Sequence, residues 1–228
     1  MKKIVSYFSK GELILLSASI LLIVGSFLIF DRGNYLTLAA SLIGAVSLIL
    51  CAKGNPLGQL LMIVFSVLYG VISFGFHYYG EMATYLGMTA PMAVVSLISW
   101  LKNPYEGRKS EVRVDRLGRG EKLLLIPLTA AVTVIFYFIL KAFKTANLAV
   151  STFSVATSFF AVYLTFRRSA YFAAAYALND FVLIILWALA SLSDSSYLSV
   201  MICFIMFLAN DIYGFINWRR MRRRQEEK

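Results

Sequence analysis

The sequence predicts an all-α polytopic membrane protein with eight apolar spans. Of its 228 residues, 60% are apolar, whereas soluble domains have about 45–50%. These residues are gathered into stretches long enough to cross a bilayer as helices. Positive charges fall between alternate pairs of stretches, which is the distribution that orients membrane helices. The expected spans are 12–30, 35–51, 57–77, 82–101, 122–140, 147–166, 170–191 and 197–218.

The distribution of Lys and Arg predicts the orientation of the chain. With the N-terminus inside, 19 of the 22 basic residues fall in inside segments, and Arg32, Lys141 and Lys144 fall outside. A net charge of +10 suggests nucleic acid in a soluble chain, but here it marks the cytoplasmic loops. An even number of spans also places the C-terminus inside. The basic start leads into an apolar run without a cleavage site, so we expect a retained first span and not a signal peptide.

The two halves of the chain resemble each other. A shift of 118 residues places Trp100 on Trp218 and Tyr79 on Tyr197. Two three-helix repeats of the same orientation, joined by a connector helix, would be related by an axis along the membrane normal. We therefore expect a 3+1+3 core with these segments: an extra N-terminal helix at 1–31, a first repeat at 32–104, a cytoplasmic loop with the connector at 105–145, a second repeat at 146–220, and a basic cytoplasmic tail at 221–228.

The last span combines bilayer length with polar side chains. It contains Asn210, Asp211 and Asn217, and an acid at mid-membrane costs about 2.5–3.5 kcal/mol or more. Asn210, Gly214 and Asn217 are spaced i, i+4, i+7, which places them on one helix face. Such a face is typical of a helix that lines a polar cavity. The alternative is that the amides only join helices.

The seventh span carries a second Asn-Asp pair, Asn179 and Asp180. Helical spacing puts Tyr176, Asp180 and Trp187 on one face. A carboxylate between two aromatic rings suits a flat ligand that is cationic or rich in hydrogen-bonding groups. The alternative is that Asp180 pairs with a buried donor from a neighbouring helix.

The first half of the chain offers fewer candidates. Gln59 lies in the third span, where its alternative role is a hydrogen bond between helices. Pro91 interrupts the fourth span and frees a backbone carbonyl. Pro91 and Gly214 are candidate pivots for motion of one repeat against the other.

Several classes of protein lack support in the sequence. It contains no phosphate-binding loop, no nucleophile elbow and no Cys/His cluster, so we expect no cofactor and no metal. Cys51 and Cys203 lie in apolar spans as packing residues, and His77 is expected at an interface. A membrane enzyme that uses Asp180 and Asp211 as acid and base remains an alternative. So does a bundle whose polar residues only pack helices.

Three motifs carry a family resemblance: A-N-D-I-Y-G-F-I-N-W at 209–218, A-L-N-D at 177–180 after R-R-S, and N-P at 55–56. With these the chain resembles the PnuC family of bacterial nicotinamide riboside transporters, relatives of the SWEET fold. The resemblance implies a homotrimer in the cytoplasmic membrane, with one pathway in each protomer. It implies facilitated diffusion of the riboside, which phosphorylation in the cytoplasm then traps for NAD synthesis.

One departure from the family pattern bears on the substrate. The family often has W-x-x-W before the acid or amide of the seventh span, and here those positions hold Ala173 and Tyr176. Relatives of the same fold resemble carriers of thiamine, riboflavin or deoxynucleosides, which stay as alternatives. The small-molecule site is expected between spans 2–4 and 6–8, with these residues: Gln59, Tyr176, Asn179, Asp180, Trp187, Asn210, Asp211 and Asn217.

Overall fold

The computed structural model describes residues 7–76 and 78–227, so the expectation for His77 lies outside the described residues. Within them, eight helices are long and apolar enough to cross a membrane, which confirms the predicted multi-pass class. The helices are α1 Lys10–Phe30, α2 Tyr35–Ala52, α3 Pro56–Gly75, α4 Tyr79–Lys102, α5 Arg119–Ala142, α6 Leu148–Phe166, α7 Phe172–Ser191 and α8 Tyr197–Glu226.

Polar residues just before the first three helices fix where these begin. Ser9 and Glu12 form a capping box at the start of α1, which satisfies backbone N–H groups that have no partner inside the helix. Asn34 caps α2 by accepting a hydrogen bond from the backbone N–H of Thr37. Asn55 caps α3, and Pro56 follows at a position that needs no N–H.

Helix α4 is not a regular α-helix along its length. It has an α-helical turn at Tyr79–Thr84, a π-helical turn at Tyr85–Thr89 and an α-helix from Ala90 to Lys102. Pro91 has no N–H to bond to the carbonyl four residues earlier, and π turns in membrane helices often accompany functional sites. The sequence predicts an interruption of this helix at Pro91, and the structure has a π-helical turn shortly before this proline.

The hydrophilic segment after α4 forms a small antiparallel hairpin, β1 Pro104–Tyr105 and β2 Arg108–Val112. The segment contacts two inter-helix turns. The N–H of Val112 donates to the carbonyl of Gly54, and the N–H of Asp115 donates to the carbonyl of Arg168, at 2.9 and 3.0 Å. We call this end of the bundle, with residues 53–54, 103–118, 167–168 and 219–227, the basic end.

Helix α8 extends beyond the predicted span end at Trp218. It continues to Glu226, so the segment expected as a separate basic tail is mostly helical. Gln225 accepts from the N–H of Val114 and donates to the carbonyl of Val112. Arg116 pairs with Glu226. The end of α8 is therefore fastened to the hairpin segment.

The bundle has two buried apolar clusters. One lies between α2, α3, α7 and α8 and includes Phe65, Leu186 and Phe204. The other lies nearer the basic end and includes Trp100 and Trp218. Helix α5, the predicted connector, contributes few side chains to the buried interior. Its buried residues are Leu125 and Leu140.

Two tryptophans make matching contacts across the bundle. Nε1 of Trp100 donates to the carbonyl of Thr165, and Nε1 of Trp218 donates to the carbonyl of Cys51, at 2.9 and 2.8 Å. Each bond joins the last helix of one predicted repeat to the first helix of the other. Two equivalent repeats would produce such an exchange, and the repeat arrangement itself stays a prediction.

Candidate substrate site

The two aspartates of the Asn-Asp pairs meet inside the bundle. Asp180 and Asp211 are 3% and 4% exposed, and their carboxyl groups lie close to each other. Two carboxylates this close repel each other in a medium of low dielectric constant, so the pair favours a ligand that donates hydrogen bonds or carries positive charge. Oδ2 of Asp180 is buried and receives no hydrogen bond from a donor group among the described residues. The pair is therefore a polar centre with acceptor capacity left over.

A group of aromatic side chains, which we call the aromatic cluster, lies on the side of this pair away from the basic end. It consists of Tyr69, Tyr78, Tyr85 and Trp187, all buried. Nε1 of Trp187 donates to the hydroxyl of Tyr69 at 2.7 Å. The rings of Tyr69 and Tyr85 are 4.3 Å apart, and those of Tyr78 and Trp187 are 4.9 Å apart. Asp180 interacts electrostatically with Tyr85, which links the cluster to the acids.

Two predicted residues lie on the other side of the acid pair, towards the basic end. Nε2 of Gln59 donates to Sγ of Cys51 at 3.2 Å, and Cys51 interacts electrostatically with Asp211. Tyr176 is partly buried, and its ring lies 6.2 Å from that of Phe172. The structure thus brings Gln59, Tyr176, Asp180, Asp211 and Trp187 into one connected region.

The three predicted asparagines contact neighbouring helices. Oδ1 of Asn179 accepts from Thr157 at 2.8 Å, Nδ2 of Asn210 donates to Ser19 at 2.9 Å, and Nδ2 of Asn217 donates to the carbonyl of Ala52 at 2.8 Å. These bonds have the helix-joining form. Oδ1 of Asn210 is buried without a partner among the described residues. Ligand contacts by the three amides stay a prediction.

Ala173, where the family pattern often has Trp, packs at a close helix crossing. It is fully buried. A Cβ added to Gly214 would lie 3.3 Å from the Cβ of Ala173 and 3.5 Å from that of Ala52. A large side chain at position 173 would therefore push α8 or α2 outwards. The small residue fits the close approach of α2, α7 and α8 in this chain.

A third buried acid was missed by the sequence analysis. Glu81, in the first turn of α4, is 1% exposed. Its Oε1 accepts from Oγ of Ser154 at 3.1 Å, and its Oε2 has no partner among the described residues. The predicted span began at 82, one residue too late, so Glu81 fell in a presumed loop. The sequence did contain one signal for Glu81, because this acidic residue lies within one helical turn of the predicted start of a span.

Among the residues that the structure describes, the interior of the bundle offers acids and aromatic rings without a basic partner. No group of three or more His, Cys, Asp or Glu in the described part of the chain is arranged to hold a metal ion. Ion pairs among the described residues lie at the basic end, where the acids Glu12, Glu111, Asp115, Glu121 and Glu226 meet Lys or Arg. Acids next to aromatic faces suit a flat ring that carries positive charge.

A multi-pass helical bundle that holds buried acids and aromatic rings in its interior is typical of membrane transporters. The comparisons with known proteins agree. Residues 34–220 match the family model described as nicotinamide mononucleotide transporter, and the chain belongs to this family, the PnuC transporters. It is accordingly a transporter and not an enzyme.

Two individual relatives extend this assignment. The nicotinamide riboside transporter PnuC of Neisseria mucosa is 25% identical over 200 residues, which cover 86% of this chain and 76% of the relative. The crystal structure of the vitamin B3 transporter PnuC superimposes with a TM-score of 0.84 at 23% identity. That match covers 96% of this chain and 94% of the solved one, and it establishes the fold.

Proposed function

We propose that this chain carries nicotinamide riboside across the bacterial cytoplasmic membrane by facilitated diffusion. The observation that carries the proposal is the contact between Asp180 and Asp211 beside the aromatic cluster, in an interior without a basic partner among the described residues. The riboside combines a flat cationic pyridinium ring with ribose hydroxyls. Rings stack on aromatic faces, and hydroxyls donate to carboxyl oxygens.

The negative charge of the site favours binding of the riboside over binding of the mononucleotide, which is the compound that the family description names. The mononucleotide adds a phosphate of about −1.5 to −2 charge. Beside Asp180, Asp211 and Glu81 that phosphate would meet like charges in a medium of low dielectric constant. The same repulsion would keep a phosphorylated product inside the cell, which couples uptake to NAD synthesis without an ion gradient.

Each predicted site residue has a proposed role. Tyr176 and Trp187 supply aromatic surface. Asn179, Asp180, Asn210 and Asp211 hold the ribose hydroxyls and the carboxamide. Gln59 and Asn217 contribute from the side of the basic end. The packing of Ala173 against Gly214 keeps a same-fold specificity for thiamine, riboflavin or a deoxynucleoside as the second candidate.

Transport would proceed by alternating access. The two predicted repeats would rock against each other, with the π turn before Pro91 and the close crossing at Gly214 as pivots. Both termini and the hairpin segment would face the cytoplasm, because the basic residues gather there. The lipid-facing surface of α5 leaves room for the homotrimer that the family resemblance implies.

The test is uptake into proteoliposomes that contain only this protein, with no imposed gradient. Labelled riboside should equilibrate across the membrane, and excess unlabelled riboside should block it. Mononucleotide should compete at least about tenfold less well, as one lost or repelled charge contact predicts. Liposomes without protein are the control.

Two results would contradict the proposal. Stronger competition by thiamine, riboflavin or thymidine would assign the chain to a sister specificity. Accumulation that requires an ion gradient would remove facilitated diffusion.

A further inference from the structure

We infer that Glu81, together with Ser154 and the tyrosines Tyr69 and Tyr85, forms a subsite that neutralises the positive charge of a ring cation during transport. The inference rests on the proposed function, because it names the residue that recognises the charged part of the substrate. Glu81 lies outside the site that the sequence predicts. In this inference it binds the charged ring, whereas other residues bind the hydroxyls of the sugar.

The first observation is that Glu81 is buried without a cationic partner. It is 1% exposed, and the one side-chain hydrogen bond that it accepts from the described residues comes from Ser154, to Oε1. Within residues 7–76 and 78–227, no Lys or Arg forms an ion pair with it. A carboxylate buried in this way is unfavourable by several kcal/mol unless it is neutralised. Oε2 is left open, and a cation that reaches it would remove the penalty.

The second observation is that Glu81 faces aromatic rings. Tyr85 lies one turn further along α4, so both side chains fall on the same helix face. The ring of Tyr85 is 4.3 Å from that of Tyr69, so the side of α4 that carries Glu81 also contributes to the aromatic cluster. A carboxylate beside several ring faces recognises an aromatic cation better than either group alone, since the rings contribute cation–π attraction and the acid supplies the opposite charge.

The third observation is that Glu81 is held in place. Gly80, its neighbour, lies so close to α5 that an added Cβ would be 2.6 Å from Thr145 and 2.7 Å from Leu140. The π turn begins four residues later, at Tyr85. The acid therefore lies on a closely packed turn directly before the π turn of α4. A ligand bound between Glu81 and Tyr85 would contact both parts of this helix.

Tyr85 connects the two acidic centres. Its side chain shares a helix face with Glu81, and its ring is 4.3 Å from that of Tyr69. Tyr69 accepts from Trp187 at 2.7 Å, and Trp187 lies two turns from Asp180 on the same face of α7. A ligand with a cationic ring and a ribose fits this arrangement, with the ring at Glu81 and the sugar at the Asp180–Asp211 pair. The Asp180–Asp211 pair offers two neighbouring carboxyl groups to the hydroxyls of a sugar. Glu81 has an open oxygen and no basic partner among the described residues, which suits a positive charge.

The experiment compares two ligands that differ in charge. Nicotinamide riboside is cationic, and its reduced 1,4-dihydropyridine form has the same carboxamide and ribose without the charge. Binding of each to purified protein is measured by calorimetry for wild type, Glu81→Gln and Glu81→Asp. The matched control is Glu12→Gln, because Glu12 is also buried, at 3% exposure, but has Lys53 as its partner.

We expect Glu81→Gln to weaken riboside binding by at least about tenfold, the range of a lost charged contact. Binding of the reduced form should change by less than about twofold. Glu81→Asp should retain part of the preference for the cation. Glu12→Gln should bind both ligands as wild type does, per folded protein measured by size-exclusion chromatography.

The outcomes separate the inference from the proposed function. Equal loss of both ligands in Glu81→Gln, or no loss of either, would overturn the role of Glu81 while the proposed function stands. Failure of wild type to bind the riboside would overturn the proposed substrate. In that case the same variants are tested with thiamine, whose thiazolium ring is also cationic. A wild type that binds neither cation would overturn both.

Discussion

A buried acid near the basic end, Glu12, and two buried acids away from that end, Asp180 and Glu81, have opposite surroundings. Glu12, at the start of α1, is 3% exposed. It accepts from Nζ of Lys53 at 2.9 Å and from the hydroxyl of Tyr213 at 2.8 Å, and its partners satisfy it fully. Asp180 and Glu81 are equally buried, yet each has an oxygen without a donor among the described residues. Glu12 therefore has partners for its carboxylate, whereas Asp180 and Glu81 each keep one oxygen that accepts no hydrogen bond from the described residues.

We propose from this difference that the paired acid stabilises the fold and that the open acids bind the ligand. Removing one partner of a buried ion pair is strongly destabilising, so a paired acid acts on stability. An unpaired acid within a membrane is unfavourable in the resting protein, and a ligand that completes it gains binding energy. Variants of the two groups should accordingly separate stability from transport.

The largest effect is expected at the acid pair. Asp211→Asn or Asp180→Asn removes a carboxyl group that we propose as an acceptor for the ribose hydroxyls. Initial uptake of riboside into proteoliposomes should fall about tenfold to a hundredfold, the range for hydrogen bonds to charged groups. The amount of folded protein in the membrane should change little, because the side-chain volume is kept. Wild-type uptake by both variants would show that the open acids are only structural.

Glu12→Gln should produce the reverse pattern. It leaves Lys53, which is 19% exposed, beside a neutral amide. We expect the free energy of unfolding to fall by about 2–3 kcal/mol, less than for a fully buried pair because Lys53 can reach water. Thermal unfolding in detergent measures the change. Uptake per folded protein should equal that of wild type, and a loss of uptake without a loss of stability would break the comparison.

Arg168 provides a smaller test at the basic end. Its guanidinium donates to the carbonyl of Arg113, to Oγ of Ser99 and to Asp115, at 3.1, 2.7 and 3.2 Å. Arg168→Ala should loosen residues 103–118 by about 1–2 kcal/mol, since part of this network is exposed to solvent. Limited trypsin digestion of inside-out vesicles should then cut this segment faster, whereas Arg223→Ala, at an exposed position, should leave the rate unchanged. Equal rates in all three proteins would show that Arg168 does not hold the segment.

The sequence predicted the bundle better than the site, for physical reasons. Bilayer thickness fixes the length of each span, so all eight spans were found within a few residues. Asp180 and Asp211 were found because an acid is rare inside an apolar stretch. Glu81 and Tyr69 were not included, because an acid at a span end and a lone Tyr are ordinary in membrane helices. Their meeting depends on how α3, α4 and α6 pack, which helical periodicity alone does not encode.

The helix α8 and the hairpin segment show a second limit. Hydropathy ended the last span at Trp218, where the basic run begins. The helix continues to Glu226 because Gln225 and Glu226 find partners in residues 112–116. Such contacts lie more than a hundred residues apart in the chain. Hydropathy predicts which residues lie in the bilayer. It contains no information about polar contacts between segments that are distant in the sequence.

The smallest expected effect is at Ser154, which supplies the hydrogen bond to Glu81. Ser154→Ala keeps the charge of Glu81 and removes one donor, so riboside binding should change by about twofold to tenfold, the range of one ordinary hydrogen bond. Thr152→Ala is the control, because Thr152 lies on the same helix and donates to the carbonyl of Leu148 in its own backbone. Calorimetry with the riboside and its reduced form measures both variants. A change confined to the charged ligand in Ser154→Ala would place the effect at Glu81, whereas the same change in Thr152→Ala would assign it to the packing of α6 and count against the separation of open and completed acids.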